Sequence, residues 1–228
     1  MPTVLITGAS RGIGLELVKC YAARSATVIA CCRNPEAAPA LAAVAGDVTV
    51  MPLDVGDAES VAALAASLGD RPVDILINNA GVSGPSYDHQ NVYSMDFDGW
   101  AETFAINTMG PVRMLQALMS NLKASHDGKL VNITSQMGAL SLDMTVAYAY
   151  CTSKAALNKF MRMAAIELKR DGIHVCVVHP GWVQTDMGGP NAEITPEESA
   201  RGIVDVVEKL NADNTGGFWK WNGETHDW

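Results

Sequence analysis

No stretch of this 228-residue chain is apolar over the length of a bilayer, no block of lysine or arginine occurs, and no C-x-x-C motif is paired with a second. A membrane-spanning helix needs about 20 predominantly apolar residues, so a helical membrane protein is excluded. A net charge of −9 with no basic block excludes nucleic acid or an anionic membrane as the main partner, although a local basic site for a small anion remains open. The five cysteines (Cys20, Cys31, Cys32, Cys151 and Cys176) are odd in number and scattered, and no histidine stands at metal-ligand spacing from them. No metal is expected, and the thiols read as reduced and partly buried, as in a cytoplasmic protein. The N-terminus lacks a charged region followed by an apolar core, which predicts no signal peptide. Neither a repeat nor a linker divides the sequence, so residues 1–228 are expected to form one domain.

What is present is alternation. Apolar, β-branched runs at Thr3–Thr7, Thr27–Cys31, Val48–Leu53, Val73–Asn78, Lys129–Thr134, His174–Val178 and Gly217–Trp221 read as strands. Helical spacing is found near Gly12–Arg24, Pro35–Ala45, Ala58–Leu68, Phe97–Leu122, Ala147–Arg170 and Pro196–Leu210. Repeated strand–helix–strand order predicts an α/β fold: a doubly wound, Rossmann-like parallel sheet of about seven strands with helices on both faces.

The first strand runs into Gly8-Ala-Ser-Arg-Gly12-Ile-Gly14 and then into a helix. Glycines there permit a tight turn, close approach of the backbone to a phosphate, and close packing of helix on strand, with the helix N-terminus facing the anion. In such sheets ligands sit beyond the carboxyl ends of the strands. Asp54, Asn78-Asn-Ala-Gly81, Ser135 and Pro180-Gly181 each follow a strand and fall on that edge. Each has an ordinary reading as a turn former or loop residue, and their common placement is what carries weight. Tyr150 and Lys154 are one helical turn apart and share a helix face. A lysine so placed favours the phenolate and is expected to lower the tyrosine pKa, suiting it to proton transfer. Tyr148 has Thr152 at the fourth position on and is set aside.

The ordered set Thr7–Gly14 (TGASRGIG), Asp54, Asn78–Gly81 (NNAG), Asn107, Ser135, Tyr150 with Lys154, and Pro180-Gly181 resembles the short-chain dehydrogenase/reductase family along essentially the whole chain. Tyr148–Lys154, His179–Gly189 and Gly216–Glu224 look like its C-factor/sniffer-type carbonyl reductase branch. The resemblance implies a catalytic tetrad. Tyr150 would protonate the substrate oxygen and Ser135 would orient it. Lys154 would hold the cofactor ribose and tune Tyr150. Asn107 would kink its helix and anchor a proton-relay water. It also implies a dinucleotide site built from Gly8, Ser10, Arg11, Gly12, Ile13, Gly14, Arg33, Asp54, Val55, Asn79, Ala80, Gly81, Tyr150, Lys154, Pro180, Gly181, Val183 and Thr185. Asn107 could equally be a solvent-facing helix residue. The fifteen-residue step from Ser135 to Tyr150 is longer than the family pattern and predicts an enlarged loop between them.

An NAD enzyme of this kind carries an acid at the end of the second strand, whereas here that strand ends Ala30-Cys31-Cys32-Arg33-Asn34. Arg33, with Arg11 from the glycine loop, suits the 2′-phosphate of NADP(H). The expected activity is reduction of a ketone, aldehyde or quinone. Oxidation of the alcohol by the same residues and a regulatory, nucleotide-binding role stay as alternatives. Met137, Leu140, Leu142, Met144, Trp182 and Met187 are candidates to line an apolar substrate pocket under a short lid, or simply to pack the core. The apolar stripes of Met109–Leu122 and of the Tyr150 helix predict a homodimer, with monomer and tetramer as alternatives.

Overall fold

The computed structural model describes Met1–Trp228. Its strands are β1 Thr3–Thr7, β2 Thr27–Cys32, β3 Val48–Pro52, β4 Ile75–Asn78, β5 Lys129–Ile133, β6 His174–His179 and β7 Phe218–Lys220. They form one parallel sheet in the order β3-β2-β1-β4-β5-β6-β7. Side chains alternate across it, as the two-residue period of a strand demands. Val4, Ile6, Val28 and Ala30 point to one face, under α1 (Gly12–Ala23) and α8 (Pro196–Lys209). Leu5, Ile29 and Cys31 point to the other, under α3 (Ala58–Leu68), α5 (Gly110–Ala117) and α7 (Tyr148–Leu168). Each face buries a cluster of 24 residues, so the strands are apolar on both sides and read as continuous runs.

Two expected helices are broken, both at proline. The run Pro35–Ala45 becomes a 3-10 turn at Pro35–Ala37 and a single turn α2 at Pro39–Ala42, because Pro39 cannot continue a helix from the residue before it. The run Phe97–Leu122 becomes α4 (Phe97–Phe104), a widened π turn at Ala105–Met109, α5, and α6 (Met119–Lys123). Pro111 has no N–H to offer the Asn107 carbonyl four residues back, so the regular ladder fails there. The apolar residues expected to form a free stripe on this segment, Met114, Leu115, Leu118 and Leu122, are instead its buried face. Only α7 keeps a second apolar side. Leu157, Met161 and Ala165 pack inward, while Phe160, Met163 and Ile166 stand exposed.

The outer edge of β7 is covered by the residues that follow it. Lys220 N–H donates to the Glu224 carbonyl (2.7 Å) and His226 N–H to the Phe218 carbonyl (2.8 Å). Trp228 then packs on Phe218, and the Arg162 guanidinium lies over its ring at 4.7 Å. No helix is long and apolar enough to cross a membrane.

Candidate active site

Strand order reverses between β1 and β4, where connections leave in opposite directions and a crevice must open. A cleft of about 460 Å³ lies there. Its floor is the glycine loop. Gly8 sits at φ +67°, and a Cβ on it would lie 2.8 Å from the Ala80 Cα, so neither the turn nor the close approach of β4 tolerates a side chain. A Cβ on Gly14 would collide with the Gly8 carbonyl. Asn79 fastens this junction: its Nδ2 donates to the Thr7 and Gly8 carbonyls (3.0 and 3.1 Å). The Thr7 hydroxyl in turn accepts from Asn79 and Ala80 N–H, both at 3.0 Å.

The first turn of α1 has no side-chain cap and no acid, so its N–H groups and its dipole are open to an anion. Asp54 and Val55 line the cleft beyond β3, with Asp54 Oδ1 accepting from Gly56 N–H (2.8 Å). Arg33 is exposed on the rim just past β2, where no acid stands. Arg11 lines the same rim but is paired with Asp186 at 3.0 Å, so the two expected phosphate cations are not equally free.

At the other end of the cleft, α7 presents Tyr150 and Lys154. Lys154 is buried and its Nζ donates to the Ile133 carbonyl at 2.9 Å, leaving two further N–H donors. Burial lowers its pKa to about 8. The Tyr150 phenol is pushed up to about 12 by the packing around it; the Ser135 hydroxyl opposes that rise, and Cys151 and Tyr87 add slightly to it. The sequence expectation that Lys154 lowers the Tyr150 pKa is therefore overturned. Desolvation sets the direction, and the ammonium, turned to the Ile133 carbonyl, stands 5.8 Å from the ring centroid. Ser135 is buried at the end of β5 and also accepts from Met137 N–H (3.1 Å), closing a 3-10 turn.

Asn107 is fully buried and does not face solvent. Its Oδ1 accepts from Val82 N–H (2.9 Å), and its Nδ2 donates to the Val82 carbonyl (2.8 Å) and to the Ser153 hydroxyl (3.0 Å). The amide thus ties the widened turn to α7 and to the strand following β4. Pro180 and Thr185 line the cleft, but Gly181 backs onto Trp221 and Ile194, and Val183 turns inward. Those two shape the cleft wall rather than face it.

Met187, expected at the substrate pocket, does line the cleft, and several lining residues were not foreseen: Cys32, Leu53, Val82, Ile106, Ile133, Thr134, Gln184, Asp186 and Pro196. Most adjoin an expected residue at a strand's carboxyl end, and extending each motif by one position finds them. The Ile133 carbonyl and Asp186 carried no signal of their own. Leu140, Leu142, Met144, Trp182 and Met187 are exposed and do not pack the core; Met137 is half-buried. A second cleft of about 460 Å³ lies between α8 and β7, lined by Trp219, Trp221 and Arg201, and holds none of the residues above.

A sequence model of the short chain dehydrogenase family matches residues 2–195. The C-signal protein of Myxococcus xanthus is 40% identical over 167 residues, which is 73% of this chain and 99% of that one. The NADPH-bound carbonyl reductase from chicken fatty liver superposes with a TM-score of 0.91 at 32% identity, covering 100% of this chain and 99% of the other. Carbonyl reductase Sniffer of D. melanogaster gives 0.92 at 28% identity, with both chains fully covered. On these matches the chain belongs to the short chain dehydrogenase family, in the branch that holds C-signal and the Sniffer-type carbonyl reductases.

Proposed function

We propose that this chain is an NADPH-dependent carbonyl reductase that turns a ketone, aldehyde or quinone carbonyl into the alcohol, with Tyr150 as proton donor. The observation that carries the reading is the pairing of a half-buried phenol with a buried ammonium at one end of the cleft, while the other end offers an uncapped helix and Arg33. The donor set fits the cofactor. N–H groups of α1 suit the pyrophosphate, the two spare Lys154 donors suit ribose hydroxyls, and Arg33 with no neighbouring strand-end acid suits a 2′-phosphate. Bound NADPH supplies the hydride for the carbonyl carbon. The Tyr150 hydroxyl gives its proton to the carbonyl oxygen, and the Ser135 hydroxyl hydrogen-bonds that oxygen and fixes its direction. Lys154, mostly charged at neutral pH, holds the ribose and re-supplies positive charge as the phenol loses its proton.

The protonation state of the phenol makes the two directions respond differently to pH. A group near 12 is fully protonated at pH 7, the form a donor needs, whereas oxidation of the alcohol needs the phenolate and should accelerate as pH rises. The decisive experiment is NADPH consumption across ketones, aldehydes and quinones by the wild type and by Tyr150→Phe. Turnover is expected to fall at least a hundredfold in the variant, with NADPH binding unchanged; wild-type turnover in Tyr150→Phe would overturn the assignment. The 40% identity to C-signal supports a second reading, nucleotide binding in a regulatory role, under which NADPH binds tightly but no carbonyl compound is reduced.

A further inference from the structure

The catalytic helix begins in an unusual way. Its N-cap, Ala147, is in the left-handed region (φ 52°, ψ 48°) and provides no side-chain cap. A helix leaves its first N–H groups without partners inside the helix, and buried ones must find them elsewhere. Here two of them find partners 58 and 59 positions back in the chain, at a single residue. The Gln90 carbonyl accepts from Tyr148 N–H (3.4 Å), and the Gln90 Oε1 accepts from Ala149 N–H (3.1 Å). Gln90 lies in the irregular segment after β4 and is only 1% exposed. Its Nε2 donates to the Ser83 carbonyl at 3.3 Å and, more closely, to the Pro85 carbonyl. The two carbonyls require the nitrogen and the helix N–H requires the oxygen, so the partners fix the amide orientation. A buried amide with every group used is a rigid fastening, and it fastens the residue immediately before Tyr150.

We propose that Gln90 is a positioning residue for the reaction: its carboxamide caps α7 from outside and sets where the Tyr150 hydroxyl meets the substrate oxygen. This rests on the reading of Tyr150 as the proton donor. The Asn107 amide holds the start of the same segment at Val82, so the segment between β4 and α4 is pinned at its root by one amide and at its middle by another. Gln90 does not line the cofactor cleft, which separates its effect on chemistry from any effect on cofactor binding.

The test uses three variants and three readouts: kcat with menadione as the carbonyl probe at saturating NADPH, the NADPH Kd, and hydrogen exchange of the 147–152 backbone read by mass spectrometry. Gln90→Met keeps length and removes every polar contact of the side chain. It should lower kcat tenfold or more, leave the NADPH Kd within twofold, and speed exchange in the first turn of α7. Gln90→Glu, held in its neutral acid form by burial against two carbonyls, keeps an acceptor for Ala149 N–H and one of the two donations, so it should recover most of the lost kcat and the slow exchange. Equal damage in Gln90→Glu and Gln90→Met would assign the residue to loop anchoring and overturn the capping role. So would unchanged exchange in Gln90→Met, or a fall in NADPH affinity matching the fall in kcat. Tyr150→Phe run alongside separates the two claims. Turnover retained there removes the proton donor, whereas turnover lost there but normal in Gln90→Met removes only the positioning role.

Discussion

Arg33 stands alone where an NAD enzyme keeps an acid, and its partner in the expected phosphate clamp, Arg11, is already engaged by Asp186. The proposed NADPH reading gives Arg33 the larger share of the 2′-phosphate contact, beside an Arg11 held only in an exposed ion pair. Arg33→Asp replaces a charge-assisted contact with a repulsion and puts a ribose acceptor in its place. NADPH affinity is expected to fall tenfold or more, about 1.4 kcal/mol, while NADH affinity rises. Fluorescence titration with both nucleotides checks it, and an unchanged NADPH-to-NADH ratio would remove Arg33 from the site. The lysine and tyrosine teach a related lesson. Their spacing in the sequence locates the pair, but the sign of the tyrosine shift depends on burial, which four residues of sequence do not reveal. Gln90 was invisible for the same reason: the role proposed for it lies in two main-chain partners 58 and 59 residues away and a pair of loop carbonyls.

Strands were legible to within two residues because the inner strands are buried on both faces and read as apolar runs, while edge strand β3 keeps β-branched valines and threonine; helices were legible where their apolar spacing was uninterrupted, as in Ala58–Leu68. The misreadings fall at Pro39 and Pro111, where a periodic pattern continues through a residue that cannot donate to the ladder. In the second case the interruption is what turns Asn107 inward, so the missed break and the expected kink are one event. The carboxyl end of β6 supplies a pH dependence. His179 is buried with its Nδ1 unpartnered, edge-on to His226 at 6.0 Å. Burial chiefly, with His226 and Lys220, lowers its pKa from 6.5 to about 4. Between those values the unfolded chain binds the extra proton, so the stability is fully present above about pH 6.5 and is lost as pH falls towards 4. The loss should amount to about 3 kcal/mol. Urea unfolding of wild type and His179→Leu at pH 7 and pH 4.5 checks it; an acid loss equally large in the variant would move the cause elsewhere.

Besides the exposed apolar residues around the cleft, the assembled molecule bares the Phe160, Met163 and Ile166 side of α7. These residues recur at helical spacing, and burying them needs a second body. A homodimer through α7 is the expected state, since a two-fold axis presents the same stripe from both partners. Further growth through the sheet is blocked on one side, because the residues after β7 already pair with its outer edge. Light scattering on the eluting protein should therefore give twice 24.2 kDa, and a mass of 24.2 kDa at micromolar concentration would rule the dimer out. The middle of the same sheet bears on how the chain emerges from the ribosome. Strand β1 is made first, and β2 reaches it early, but its other neighbour is β4 at Ile75–Asn78. Until that segment arrives, Val4, Leu5 and Ile6, wholly buried in the finished protein, lie along a bare strand edge. An open edge accepts any strand that meets it. A nascent chain that has made β2 but not yet β4 therefore carries an adhesive edge, and slow synthesis before Asn78 prolongs its exposure to chaperones and to neighbouring chains alike.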